Sequence, residues 1–147
     1  SLGFLNMKWV ASPELQLPDK ILGARELEKY PTIALSHESH HYEQIENWFI
    51  TGGARFRRPL TCKSLNVCIQ LAGAGLGITM VPPNLYPQAF IERRLRILET
   101  TPQMPPTEFT AVYRDKLLLP AGPVICKLAS EASTFRKTKE PSNDRFC

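Results

Sequence analysis

The sequence predicts an α/β fold in which short strands alternate with helices. Short apolar runs bounded by turn residues recur along the chain, and amphipathic runs with helical spacing separate them. Proline or glycine stands at most of the boundaries, where these residues typically end regular structure. Such alternation indicates a mostly parallel sheet with right-handed crossovers, whose ligand site lies at the carboxyl ends of the strands.

Up to residue 62, strands and helices alternate along the chain. A strand over residues 7–12 is stopped by Pro13, and residues 19–30 carry a weak helical pattern. A buried strand over residues 32–35 precedes a helix, because apolar side chains then recur at helical spacing before two glycines. These residues are Tyr42, Ile45, Trp48 and Phe49, followed by Gly52 and Gly53. Residues 58–62 are predicted to form the next strand.

The clearest helix begins after Ser64, a residue type that favours the N-cap position. Its apolar face consists of Leu65, Cys68, Ile69 and Ala72, and it ends at Gly73 and Gly75. Strands are predicted over residues 78–81 and 95–98, with a short helix that carries Phe90 and Ile91 between them. The helix and both strands continue the alternating pattern.

The last part of the chain begins with the proline-rich residues 100–106. They lead to a predicted strand over residues 109–113 and a final helix whose first turn contains Pro123. The apolar face of that helix is predicted to be Ile125, Leu128, Ala132 and Phe135. Residues 136–147 are polar and predict a frayed tail.

The composition is that of an ordinary globular protein. The 147 residues include 18 Lys+Arg and 14 Asp+Glu, with 43% hydrophobic and 22% charged residues. The basic residues are dispersed, which favours a solvated surface over a nucleic-acid interface. The longest apolar stretch contains Asn66 and Gln70, so no membrane span is expected. The sparse cysteines and the lack of an export signal favour a cytoplasmic protein.

The run His-Glu-Ser-His-His at residues 37–41 satisfies the HExxH zinc motif. On a single helix, His37 and His41 would bind zinc with Glu38 as the general base. However, the run follows a strand directly and contains Ser39, a typical N-cap residue, so the helix is expected to begin after His37. A polar, ligand-facing loop is therefore favoured, and a zinc-dependent hydrolase remains an alternative.

Two other motifs suggest chemistry but have simpler explanations. The glycines at 73, 75 and 77 follow a helix and precede a strand, the reverse of the order in a phosphate loop, so a helix stop and tight turn are favoured. Cys62 stands beside Lys63 and a helix N-terminus, which can activate a thiol. Cys68 falls on the apolar face, where a buried, inert thiol is expected.

Two strand-to-helix corners remain as candidates for ligand binding. Residues 36–41 and 61–65 combine polar side chains with the unpaired N–H groups that every helix N-terminus presents. These corners also carry the partial positive charge of the helix end. The two corners therefore suit a carboxylate or a similar anion.

The order of these elements is similar to that of a known family. The segment KSLNVCIQLAGAGLGITMVP, residues 63–82, resembles the helix–AGLGI–strand–proline segment of LysR-type transcriptional regulators. Residues 9–15 resemble the strand that leaves the first effector subdomain, and residues 27–36 resemble the start of the second. Residues 109–113 and the helix at Pro123 are similar to the return strand and final helix. The resemblance covers residues 7–133.

The resemblance implies a type 2 periplasmic-binding-protein-like effector domain with the second lobe complete and the first lobe partial. Residues 1–20 would be a remnant of the first lobe and a hinge strand, and residues 21–98 the second lobe. Residues 99–135 would be the hinge and return to the first lobe, followed by the polar tail 136–147. DNA would be bound only through a missing N-terminal helix-turn-helix, by a homo-oligomer of the full-length protein.

The resemblance also implies where a ligand binds. In the family, a small organic-acid inducer lies in the cleft between the lobes, and no catalytic residue, metal or cofactor is implied. The matching positions are Ser36, His37, Glu38, Lys63, Ser64, Val81 and Pro82. Redox-sensing members carry a reactive cysteine in the loop that corresponds to residues 36–42, where this chain has histidines. A solute-binding transport protein is the other alternative.

Overall fold

The computed structural model of the chain describes residues 1–113 and 121–135, so the tail predicted over 136–147 lies outside the described residues. The described residues form two compact units, one of residues 7–104 and one of residues 1–6 with the described residues from 105 onward. The strand after residue 7 pairs with two later strands of the larger unit. The domain boundaries of the full effector domain remain a prediction.

The larger unit contains five strands and four α-helices among its residues. The strands are β2 (Lys8–Ala11), β3 (Ile33–Leu35), β4 (Leu60–Cys62), β5 (Thr79–Val81) and β6 (Arg96–Ile97). The helices are α1 (Ala24–Leu27), α2 (His40–Thr51), α3 (Leu65–Gly73) and α4 (Pro87–Ile91). The smaller unit contains β1 (Gly3–Leu5), β7 (Thr107–Phe109) and α5 (Ala121–Ala132). The α/β alternation is confirmed.

The strands of the larger unit lie in the order β4-β3-β5-β2-β6. β3 pairs with β4 in parallel, and a parallel bridge between Thr32 and Ile78 joins β3 to β5. β2 runs antiparallel to both β5 and β6. Four strands therefore share one direction and β2 opposes them, so the mostly parallel arrangement is confirmed with a single exception.

Alternate residues of each strand point to opposite faces of the sheet and build two apolar clusters. On β2, Trp9 packs with Trp48 and Phe49 of α2, whereas Val10 packs with Cys68 of α3. The ring centroids of Trp9 and Trp48 are 5.1 Å apart. The helical faces predicted for α2 and α3 are therefore the buried ones, and the two helices cover opposite sides of the sheet.

The glycines after α3 end the helix as expected. Gly75 adopts a positive φ of 77°, and its N–H donates to the Ala72 carbonyl. The N–H of Leu76 reaches back to the Leu71 carbonyl at 3.1 Å. This pair of hydrogen bonds is a Schellman motif, so the predicted helix stop is confirmed.

Two predicted elements differ from the structure. The helix expected over residues 19–30 is only α1, because the backbone of Leu22 is extended and bonds to Glu99 and Thr101. The strand expected over residues 109–113 is instead β7, which ends at Phe109 where its pairing with the three-residue β1 ends. In both cases backbone pairing with a distant segment decides the boundary.

The smaller unit shows little burial of its helix. The N–H of Leu2 and the carbonyl of Phe109 are bonded at 2.7 Å, and Phe109 packs against Phe135. The predicted apolar face of α5 is largely exposed, with Ile125 and Leu128 more than half accessible. None of the described helices has the length and apolar character that crossing a bilayer requires.

Candidate functional site

The carboxyl ends of three strands meet at one edge of the larger unit, which we call the carboxyl edge. Leu35 and Cys62 are direct partners across β3 and β4. Because Thr32 is paired with Ile78, Leu35 lies level with Val81 at the end of β5. β2 runs the other way, so its first residue, Lys8, is the partner of Val81. The residues that follow these strands are therefore neighbours.

The structure brings the seven predicted ligand residues to this edge. Three follow β3, two follow β4, and two stand at the end of β5; they are Ser36, His37, Glu38, Lys63, Ser64, Val81 and Pro82. The first five are exposed and the last two are buried. The polar side chains thus lie at the surface, next to the buried apolar end of β5.

A tight turn shapes the loop after β3. The N–H of Ser39 donates to the Ser36 carbonyl at 2.9 Å, and the Ser39 hydroxyl then caps α2 by accepting from the Tyr42 N–H. The exposed ring of His37 lies against the buried ring of Tyr42, with centroids 4.4 Å apart. His37 and Glu38 are therefore held in a turn before the helix.

Hydrogen bonds of the buried His41 ring connect this turn to the sheet. Its Nδ1 accepts the N–H of Leu35 at 3.2 Å, and its Nε2 lies 2.7 Å from the Met80 carbonyl. A carbonyl can only accept, so Nε2 carries the proton and the ring is neutral. Burial lowers the pKa of His41, although the bond to Met80 opposes this effect. His41 thus joins the ends of β3 and β5.

This geometry does not form the HExxH zinc site. His37 precedes α2, whereas His41 lies within it, so the two rings do not share a helical face. Both nitrogens of His41 are occupied by the backbone. Glu92, an acidic residue far along the chain from this run, pairs with Arg94 at 2.7 Å. Among residues 1–113 and 121–135, no group of three or more potential ligands is close enough to hold a metal ion.

The N-cap serines of α2 and α3 behave differently. Both have extended backbones, but only the Ser39 hydroxyl accepts an N–H of its helix. The carbonyl of Ser64 accepts from Val67 and Cys68, while its exposed hydroxyl makes no cap bond. The Ser64 hydroxyl is therefore not used by the helix that it precedes.

This difference predicts unequal effects on stability. Ser39→Ala should lower the free energy of unfolding by about 1 kcal/mol, the usual value of an N-cap. Ser64→Ala should change it by less than about 0.5 kcal/mol, because no cap bond is lost. Urea unfolding followed by tryptophan fluorescence measures both. Equal losses for the two variants would contradict the assigned caps.

Sequence reasoning missed one residue at the site and one in the strand that leads to it. Lys8 reaches the carboxyl edge only because β2 is antiparallel, a direction that no local pattern reveals. Thr79 is fully buried, and its hydroxyl donates to the Ile33 carbonyl at 2.8 Å. A polar residue inside an apolar strand is the signal that singles out Thr79, since buried hydroxyls need partners.

A cavity of 230 Å³ lies elsewhere in the larger unit, beside β6. It is lined by Pro18, Asp19, Lys20, Leu22, Arg96, Ile97, Leu98 and Glu99. None of the seven predicted ligand residues borders it. Arg96 donates to the Leu17 carbonyl at 2.6 Å, so its guanidinium holds the chain segment before α1.

Comparison with known proteins identifies the family. The family model described as the LysR substrate binding domain matches residues 2–122, most of the chain. The chain belongs to the LysR substrate-binding domain family. Domains of this family are effector domains of transcriptional regulators and are generally non-enzymatic. No curated protein sequence matches the chain.

Solved structures show the same fold. The regulatory domain of CcmR from Synechocystis PCC6803, in complex with 2-PG, has a TM-score of 0.71 at 13% identity over 90% of this chain and 65% of that chain. The effector-binding domain of QuiR in complex with shikimate has a TM-score of 0.66 at 13% identity, over 91% of this chain and 65% of that chain. The reduced form of OxyR from N. meningitidis has a TM-score of 0.62 at 15% identity, over 88% of this chain and 62% of that chain.

The chain therefore spans slightly less than two thirds of each of these three structures. The type 2 periplasmic-binding-protein-like fold expected for a LysR effector domain is confirmed, and the partial coverage fits a partial domain. In this LysR domain, the predicted ligand residues lie at the carboxyl edge.

Proposed function

We propose that the chain senses a small organic anion for a LysR-type transcriptional regulator. The ligand binds at the carboxyl edge, through Ser36, His37, Glu38, Lys63, Ser64, Val81 and Pro82, in a cleft completed by the first lobe. The observation that carries this proposal is the convergence of these residues after three adjacent strands. The bound small ligands of the QuiR and CcmR domains support it.

The electrostatics of the edge favour an anion. Lys63 is exposed, and no carboxylate of the described residues lies within 4.0 Å of its ammonium group. The first N–H groups of α3 have no acceptor within the helix and add partial positive charge next to Lys63. The Ser64 hydroxyl, unused by the helix, supplies a further donor. The carboxylate of Glu38 can accept a hydrogen bond from a hydroxyl group elsewhere on the ligand.

Ligand binding would act on transcription through the rest of the regulator. An N-terminal helix-turn-helix supplies the DNA contacts, and the full-length protein is a homo-oligomer in the cytoplasm. A ligand that binds one arrangement of the lobes more tightly shifts the population of oligomer arrangements by that difference in affinity. The domain senses the ligand and does not transform it.

The proposal predicts a selective effect of Lys63. In NMR titrations of the 147-residue chain with small carboxylates, beginning with shikimate, shifts should concentrate at residues 36–38 and 63–64. Lys63→Gln should weaken binding about tenfold, the effect of losing one charged hydrogen bond. Lys29→Gln removes an exposed lysine outside the carboxyl edge and should leave binding unchanged.

Three results would contradict the proposal. One is the absence of binding by every acid in the series. Another is a set of shifts concentrated around the β6 cavity instead of the carboxyl edge. The third is equal affinity of the Lys63→Gln variant and the unmodified chain.

A further inference from the structure

A single buried ring connects two of the segments that carry the predicted ligand residues. His41 is only 8% exposed, and its hydrogen bonds reach the Leu35 N–H at 3.2 Å and the Met80 carbonyl at 2.7 Å. Leu35 directly precedes the ligand turn, which we define as residues 36–39, and Met80 directly precedes Val81. The ring therefore bonds the backbone immediately before both segments, without being a predicted ligand residue itself.

The ring takes the place of a hydrogen bond between two strands. Near the start of β3, the Ile33 N–H donates directly to the Ile78 carbonyl at 2.8 Å. In a parallel pair, the next bond of this kind would join the Leu35 N–H to the Met80 carbonyl, two residues further along both strands. His41 instead lies between these two groups and bonds each of them. The imidazole thus bridges β3 and β5 at the carboxyl edge, where the ligand residues begin.

Only one form of the ring can make both bonds. The Leu35 N–H needs an acceptor and the Met80 carbonyl needs a donor, so Nδ1 must be unprotonated and Nε2 must carry the proton. An imidazolium carries an N–H on both nitrogens, which leaves the Leu35 N–H facing a second donor. Protonation therefore breaks the link between the start of the ligand turn and the end of β5.

No charged side chain of the described residues compensates for a proton on this ring. The groups that face it from β3 and β5 are a backbone N–H and a backbone carbonyl. The ionisable side chains of the ligand turn and of the first turns of α2 are His37, Glu38, His40, Tyr42, Glu43 and Glu46. Burial lowers the pKa of His41 and the bond to Met80 raises it, and none of these side chains contributes. The ring is therefore controlled by its burial and its two backbone bonds.

We propose that His41 is a positioning residue for the ligand site, where binding of an organic anion and protonation of the ring oppose each other. While the ring is neutral, its two bonds hold Ser36, His37 and Glu38 in place relative to Val81. Once the ring is protonated, the start of the ligand turn separates from β5 and the site loses this arrangement. A ligand that binds the neutral form more tightly must lower the proton affinity of the ring by the same factor. The effect on ligands rests on the proposed function, whereas the link between the ring and the turn does not.

The sign of the pH dependence separates this effect from ordinary charge attraction. Protonation of His37, an exposed residue of the site, would add positive charge and strengthen the binding of an anion in acid. Protonation of His41 weakens that binding, because the turn that carries His37 moves. A carboxylate ligand stays almost fully ionised above about pH 5.5, so its own titration produces neither change there.

The first experiment needs no ligand. NMR spectra of the full chain between pH 7.5 and 4.5 follow the ring of His41 and the amides of residues 36–38 and Val81. These amides should change with the midpoint of the His41 ring. The same should hold for His40→Ala, which removes an exposed ring that is not among the seven ligand residues. In His41→Gln, whose amide can still donate to the Met80 carbonyl but does not titrate, the change at that midpoint should be lost.

The second experiment adds shikimate as the probe. Its affinity for the unmodified chain should fall at least threefold between one pH unit above the His41 midpoint and one unit below it. Saturating shikimate should move that midpoint down by about half a pH unit or more, as the same factor requires. His41→Gln should lack this fall in affinity.

The outcomes separate the two parts of the proposal. Amides of the ligand turn that do not follow the ring overturn it, as does a ring that stays neutral throughout the titration of the folded chain. Shikimate binding that is unchanged or stronger below the midpoint overturns the coupling to ligands. If His41→Gln fails to fold, the midpoints of the unmodified chain with and without shikimate decide the same point. If no carboxylate binds but the amides follow the ring, the proposed function fails and the positioning of the turn by His41 remains.

Discussion

Replacing His41 with alanine should lower the free energy of unfolding by about 2–4 kcal/mol, because the Leu35 N–H and the Met80 carbonyl both lose a buried partner. Each buried polar group left unpaired costs about 1–3 kcal/mol, and the small side chain leaves a cavity as well. His40→Ala is the matched control, since that exposed ring hydrogen-bonds only to Glu43, at 3.3 Å, among the residues that the structure describes.

The same residue predicts a loss of stability in acid. The pKa of His41 in the folded state lies below its ordinary value of 6.5, so below that pH the unfolded state binds more protons. The stability that neutral His41 contributes is fully present above pH 6.5. It is lost as the pH decreases through 6.5 towards the pKa of His41 in the folded state. Protonation also places an N–H on Nδ1, where it faces the Leu35 N–H.

Urea unfolding at pH 7.5 and 5.5, followed by the fluorescence of Trp9 and Trp48, measures both effects. The unmodified chain and the His40→Ala variant should be less stable at the lower pH. His41→Ala should lose most of this pH dependence, although carboxylates contribute a remainder. An His41→Ala variant as stable as the control at pH 7.5 would show that these two hydrogen bonds do not hold the turn.

Gly77→Ala should destabilise the larger unit by about 3 kcal/mol or more. A Cβ at this position would lie 2.3 Å from the Pro31 carbonyl oxygen and 3.0 Å from its carbon. That oxygen also accepts the N–H of Ile78 at 2.8 Å, so it cannot move away without breaking the bridge between β3 and β5. The close backbone approach leaves no room for any side chain.

Gly75→Ala is the matched control two residues away. A Cβ on Gly75 meets nothing within 4 Å, but the positive φ of 77° disfavours alanine, so a cost of about 1 kcal/mol is expected. Thermal and urea unfolding of both variants tests the difference. A Gly77→Ala loss no greater than that of Gly75→Ala would contradict the packing of β3 against the segment before β5.

Much of the larger unit could be predicted from local patterns. Tyr42, Ile45, Trp48 and Phe49 form the buried face of α2, and Ser39 caps it, because helical periodicity and capping depend on residues within one or two turns. The run from residue 63 to residue 82 likewise formed a helix, a glycine stop and a strand. Local chemistry also placed His37 before the helix.

Boundaries and partners were less predictable. Residues 19–30 have a weak helical pattern, but Leu22 instead pairs with Thr100 in a β-bridge. The strand near Phe109 ends where its pairing with β1 ends. In each case, hydrogen bonds to residues far along the chain outweighed local preference. The hydrophobic face of α5 was predicted from periodicity, but its burial depends on what packs against it.

The amino-acid sequence alone determined which elements form in the larger unit, their order, and which side chains follow each strand. Only the tertiary structure decided that β2 runs against its neighbours and brings Lys8 to the carboxyl edge, and that both ring nitrogens of His41 bond the backbone. Periodicity and capping are interactions between near neighbours in the chain. Strand direction and hydrogen-bond partners depend on segments that meet only after folding.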